Sequence, residues 1–174
     1  ISADALWERG FGVVFPELEG EQAFAEVEAT LDVIEQLQPE WVLPGHGGMF
    51  SDVAGALAVA RKRLADFQAD PQRHAQYAAK VLLKYKLLEW QQASCQQVPD
   101  WCASTPLMQQ MRQRYFADQD PAAWVLALLQ ALAAAREAGA TVAARLDAAR
   151  AKALRSAQIR ESIPKAEALL TQQE

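Results

Sequence analysis

Between Glu21 and Gln38 the apolar residues Phe24, Val27, Leu31, Ile34 and Leu37 recur at three- and four-residue steps. That spacing puts them on one face of a helix. Pro39 closes the pattern, and Trp41-Val42-Leu43 then reads as a short buried strand running into the glycine-rich Pro44-Gly45-His46-Gly47-Gly48. Upstream, Gly10 to Pro16 reads as a loop or an edge strand ended by proline. Helix, strand and Gly-rich loop in that order predict an α/β segment from Ile1 to about Phe50, with a ligand expected at the carboxyl end of a strand.

From Ser51 the pattern changes to helices. Ser51 is a candidate N-cap for a helix carrying Val53, Leu57, Leu64 and Phe67 inward. Asp70-Pro71 opens another, with Pro71 at its first position and Ala78, Val81, Leu82, Tyr85 and Leu88 expected inside. Thr105-Pro106 and Asp120-Pro121 repeat the cap-then-proline signature and start two more. From Arg136 the chain is rich in Ala, Arg, Glu and Gln, and Val142, Leu146, Ala149 and Ala153 give only a thin apolar stripe. Gly139 is read there as a helix stop, Thr141 as a cap and Pro164 as an interruption. Such a tail fits a packed helix pair, a partner-binding helix or a mobile extension.

The 174 residues suffice for one sizeable core, or one core with a satellite. A hydrophobic content of 51% with 22% charged residues places the chain among globular proteins rather than disordered ones. The net charge of -5, with basic and acidic residues interleaved, argues against a nucleic-acid binder. No apolar run approaches the roughly 20 residues of a membrane span. Cys95 and Cys102 are too few for a disulfide framework, so a packing role in a reducing, cytoplasmic setting is expected. Ile1-Ser2-Ala3-Asp4 reads like a strand already in progress, which suggests a piece of a longer protein.

The chain holds two histidines. His46, framed by Gly45, Gly47 and Gly48, sits on a loop whose backbone can approach a ligand closely. It fits a metal ligand or acid-base group, and equally a solvated residue of a Gly-rich turn. His74 reads as a surface residue in the first turns of its helix. Arg73, Lys80, Lys84 and Lys86 form either a steering patch for an anionic substrate or, more commonly, a solvated helix face. The five tryptophans read as core anchors, Met108 and Met111 as packing, and Asp52 as a first-turn acid.

Ile1-Ser2-Ala3-Asp4-Ala5-Leu6-Trp7 taken with Pro44-Gly45-His46-Gly47 resembles the C-terminal half of the metallo-β-lactamase-fold metallohydrolases, in particular glyoxalase II-like thioester hydrolases. Phe50-Ser51-Asp52 and the Arg61-Lys62-Arg63-Leu64 helix continue the likeness. The stretch His74 to Lys84 is similar to the helix opening a winged-helix-like subdomain in some members, and the likeness reaches about Tyr115. It implies an α/β fold, the C-terminal part of an αββα sandwich over 1–69, then a mostly helical, winged-helix-like subdomain over 70–135. Residues 136–174 are left as a helical tail of unknown role.

The resemblance also implies zinc, two ions in a complete site, with Asp4 bridging them and His46 completing the second. The implied reaction is hydrolysis of an ester, thioester or amide carbonyl by metal-bound hydroxide, with a small-molecule substrate. The family's His-x-His-x-Asp-His run does not occur here. The expected partner is therefore an upstream N-terminal half of the same protein, with no nucleic acid and no membrane. Zinc, iron and manganese all suit the donor types. Without sheet neighbours, apolar surface near Val13, Val42 and Leu43 would favour homo-oligomers. The competing expectation is a non-catalytic helical binding or oligomerisation module.

Overall fold

In the computed structural model, residues 1–94 and 96–138 are described. The chain divides into two units, Ile1–Leu129 and Gln130–Glu174, and the fold outlined here is that of the first. Its helices are α1 (Phe15–Glu19), α2 (Phe24–Leu37), α3 (Val53–Ala69), α4 (Pro71–Trp90), α5 (Gln97–Ser104) and α6 (Pro106–Tyr115). A seventh, α7, covers 121–138. The readings placed on Gly139, Thr141, Val142, Leu146, Ala149, Ala153 and Pro164 fall outside the described residues.

The α/β expectation is overturned: among the described residues the architecture is helical and contains no sheet. The segments read as strands make three isolated bridges, Ala3 with Pro44, Trp7 with Gly10 and Val42 with Phe50. A ladder needs consecutive N–H and C=O groups to find partners on a neighbouring strand. Here Pro44 has no N–H to offer and the glycine loop begins one residue after Leu43, so pairing stops after a single step. The wing of a winged-helix subdomain is absent for the same want of strands among the described residues.

Helix starts follow local chemistry. At α3 the cap is Asp52, whose carboxylate accepts from the Gly55 N–H at 3.0 Å, and not Ser51. Asp70 caps α4 by accepting from Arg73 N–H at 3.0 Å, with Pro71 inside the first turn. Asp120 accepts from Ala123 N–H at 2.9 Å at the start of α7. Thr105 precedes α6 without capping it, its hydroxyl donating instead to the Trp101 carbonyl at 2.8 Å. The start of α2 is served from a distance, because Glu17 of α1 accepts from the N–H groups of both Ala23 and Phe24 at 2.9 and 3.0 Å. Those orphan donors would otherwise be unsatisfied.

The core sits where α2 and α3 meet the N-terminal segment. Val53, Leu57, Leu64 and Phe67 of α3 are all buried, as their spacing predicts. On α2, Phe24 and Leu31 are buried and Val27 and Ile34 half-covered, while Leu37 at the C-terminal end is exposed. Arg61 of α3 ties the pair from outside, donating to Asp32 and Glu35 of α2 at 2.7 Å each. On α4 the expected face is rotated: Tyr85 and Leu88 are exposed, and His74, Ala75, Ala78, Ala79 and Leu83 are buried. Alanine side chains let α4 approach its neighbours closely, so small residues set the phase that the larger ones seemed to mark. Met108 and Met111 of α6 are fully buried, in agreement with a packing role.

Candidate functional site

Two stretches of irregular backbone are clipped together beside this core. Val42 and Phe50 exchange both backbone hydrogen bonds, at 2.9 and 3.1 Å, which closes the glycine loop at its base. The loop is then tied to the first residues of the chain. Ser2 N–H donates to the Leu43 carbonyl at 3.0 Å, and Gly45 N–H to the Ala3 carbonyl at 2.7 Å. A further strut comes from Arg63 of α3, which donates to the Phe11 carbonyl at 2.7 Å. Its guanidinium lies where a Cβ on Gly10 would fall, at 2.8 Å, and Gly10 holds a φ of +112°. Only glycine suits that turn.

The clip brings Asp4 and His46 together, 42 positions apart in sequence. His46 Nδ1 lies 2.8 Å from Asp4 Oδ1, and both side chains are more than half exposed, at 56% and 62%. Gly45 makes this approach possible: a Cβ there would meet Asp4 Oδ1 at 2.7 Å and the Ala3 carbonyl carbon at 3.2 Å. Ala3, next to Asp4, carries a φ of +47°, a conformation that costs a residue with a side chain. Trp7 completes the group. Its indole Nε1–H donates to the same Asp4 Oδ1 at 3.2 Å, and its ring stands 5.0 Å from the His46 imidazole.

The group stands at one side of a cleft of about 700 Å³. Val13 and Val14 line its floor, α2 contributes Val27, and α4 contributes Tyr77, Val81, Lys84 and Tyr85. That volume lies within the usual range for small-molecule sites, about 300–1,000 Å³. Of the basic residues considered for steering, Lys84 reaches this cleft. Lys86 is engaged with Glu89 and Trp90, and Arg73 with Asp66.

A divalent ion needs more donors than Asp4 and His46 supply. Among the described residues no cluster of three or more His, Cys, Asp or Glu is placed to hold a metal, whereas catalytic zinc ordinarily keeps three protein ligands. The oxygen and nitrogen types fit such an ion, and the number does not.

His74 is not a surface residue. It is 1% exposed, packed between the rings of Phe24 at 5.1 Å and Phe67 at 4.7 Å, with its Nε2 unpartnered. Burial pushes its pKa down to about 4, partly opposed by the charge of Glu17. Of the tryptophans, Trp124 is a core residue, while Trp7 belongs to the candidate site and Trp41 is 54% exposed. Val42 is buried and Leu43 exposed, so the apolar patch expected there is confined to one side. Cys102 is buried, which raises its thiol pKa to about 11 and leaves it unreactive. The helices are too short or too polar for one to cross a membrane among the described residues.

Compared with protein-family models, with curated proteins and with solved structures, the chain matches none of them. Trp7 was missed as a site residue by sequence reasoning. Its signal was the Asp4-Ala5-Leu6-Trp7 spacing, which in a turn brings a donor three residues on back to a carboxylate.

Proposed function

We propose that the Asp4–His46 couple is this chain's contribution to the metal centre of a hydrolase acting on an ester, thioester or amide carbonyl. The observation that carries it is the meeting of a carboxylate and an imidazole from distant segments at 2.8 Å, on the edge of a 700 Å³ cleft. The substrate class rests on the resemblance of the segments around Asp4 and His46 to the metallohydrolases. A divalent ion, when bound, supplies Lewis acidity and makes a nearby water acidic enough to attack near neutral pH. Asp4 and His46 orient each other, and Val13, Val14, Val27 and Val81 offer apolar surface along the cleft to an acyl group.

On this reading the remaining ligands come from a partner segment, with an upstream half of the same protein as the expected source. Zinc titration of the chain with a chromophoric chelator as competitor tests the reading. The expected result is weak binding, lost in both Asp4→Ala and His46→Ala. Tight stoichiometric zinc in the chain alone would mean that the donor count is wrong, and binding undisturbed by either substitution would place the metal elsewhere. Supplying the partner segment should tighten zinc and yield thioester hydrolysis. The second reading, a non-catalytic helical binding module, draws on the exposure of Trp41, Leu43 and Met49, and requires partner capture that is indifferent to metal.

A further inference from the structure

We propose that the hollow between α5, α6 and the start of α7 is a second binding site, one that takes a small organic monocarboxylate with an apolar body. The hollow measures about 470 Å³, inside the usual range for small-molecule sites, about 300–1,000 Å³. Pro99 and Ala103 of α5 and Pro121 and Val125 of α7 give it apolar walls.

Two polar groups on those walls are left over from the fold. Trp124, which lines the hollow, is 3% exposed, and no acceptor among the described residues meets its Nε1–H. An indole nitrogen can only donate, so nothing but an acceptor answers it. Buried polar groups without a partner are few in folded proteins, and each calls for an explanation. Phe116 packs against the ring at a centroid separation of 5.6 Å and holds it in place. Arg112 of α6 is the second group. It is half-buried at the hollow and pairs with no acid among the described residues. Gln109, by contrast, is engaged with the Ala103 carbonyl, and Asp100 accepts from Gln96 at 2.9 Å.

A carboxylate answers both leftover groups at once. Its oxygens accept from an indole N–H and from a guanidinium fork, and its single charge matches the single cation. Asp100 stands at the same hollow and opposes a second negative charge, which favours a monoanion over a phosphate-like dianion. The hollow shares no residue with the Asp4–His46 cleft, so its occupancy does not depend on a metal there.

The test is an NMR titration of the whole chain with 4-phenylbutyrate, following the Trp124 indole ¹H–¹⁵N signal, with the neutral amide of the same acid as control. The carboxylate should move that signal saturably and bind about tenfold more tightly than the amide, the worth of one charge-assisted hydrogen bond. Trp124→Phe would disturb the core along with the donor, so the half-buried Arg112 and the exposed Ala103 carry the test. Arg112→Gln should erase the preference for the carboxylate, and Ala103→Leu should exclude both compounds by filling the hollow. An indole signal unmoved at millimolar phenylbutyrate overturns the proposal, as does equal affinity for acid and amide. So does a carboxylate preference that survives in a folded Arg112→Gln chain, or binding undiminished by Ala103→Leu. A titration that moves the Trp7 signal and leaves Trp124 untouched would seat the anion in the other cleft, beside Lys84, and equally refute it. Tighter binding of the matching phosphonate would overturn the single-charge assignment.

Discussion

The two histidines occupy opposite kinds of surroundings. His46 stands on irregular backbone, more than half exposed, with a carboxylate and an indole gathered around it. His74 lies inside the helical body at 1% exposure between two phenylalanine rings, with no hydrogen-bond partner for its Nε2. One imidazole is organised by polar groups and strained backbone, the other chiefly by apolar packing, with the charge of Glu17 acting on it. Polar organisation of an accessible ring prepares chemistry, whereas enclosure of a ring among aromatics makes it part of the core and opposes its charge. The difference should show in what each site does to stability when disturbed.

The largest effect is expected on the packed side. Phe67 is buried and faces Phe11, His74 and Tyr77 at ring separations of 6.3, 4.7 and 5.7 Å. Phe67→Ala removes the ring these three share and leaves a cavity, at a cost of about 3–5 kcal/mol. Urea denaturation followed by circular dichroism checks it. A loss under about 1 kcal/mol would mean that the aromatic cluster is not the core the structure describes.

Next comes the charge state of His74. Its pKa falls from the ordinary 6.5 to about 4 in the folded protein, chiefly by desolvation. The folded state therefore binds the proton less readily than the unfolded chain. Above pH 6.5 both forms are neutral and the contribution to stability is complete. As the pH falls from 6.5 toward 4 the unfolded chain takes up the proton first, and stability drains away, by about 3 kcal/mol across the window. Denaturation midpoints between pH 7 and pH 4 should decline accordingly, and His74→Phe should flatten much of that slope. An unchanged slope in that variant would relocate the titrating group.

These sites also show what sequence can and cannot reveal. The α3 face was legible because Val53, Leu57, Leu64 and Phe67 are large and all inward, so period and phase agreed. On α4 the period was legible and Ala78 was placed correctly, but the face was set by Ala75, Ala79 and Leu83 rather than by Tyr85 and Leu88, because alanines look neutral in a sequence. His74 follows that buried alanine stripe, which is why its burial was missed. The strands failed for a different reason: apolar runs report burial, and a ladder additionally needs consecutive N–H and C=O partners, whereas pairing here stops at single bridges, with no N–H on Pro44 and a turn at the glycines that follow it. Asp4 and His46 were legible through resemblance and the framing glycines, whereas their juxtaposition depends on Gly45 and Ala3, whose roles appear only when the two segments meet.

The smallest effects, and those that isolate the site from the core, are expected at Gly45 and then at His46. A methyl group there would fall 2.7 Å from Asp4 Oδ1 and 3.2 Å from the Ala3 carbonyl carbon. The neighbours are one side-chain oxygen that can swing away and one backbone atom that can move little. Gly45→Ala should therefore cost about 1 kcal/mol through local overpacking, the low end for such insertions because the segment is exposed. It should also part Asp4 from His46, read as loss of the nuclear Overhauser contacts between the Trp7 and His46 rings. His46→Ala, which removes an exposed side chain and leaves the backbone clip intact, should change stability by no more than about 0.5 kcal/mol. If Gly45→Ala kept the ring contacts, or His46→Ala destabilised the chain as much as a core truncation, the histidine would belong to the scaffold. The contrast with His74 would then be one of position alone, since both rings would serve packing.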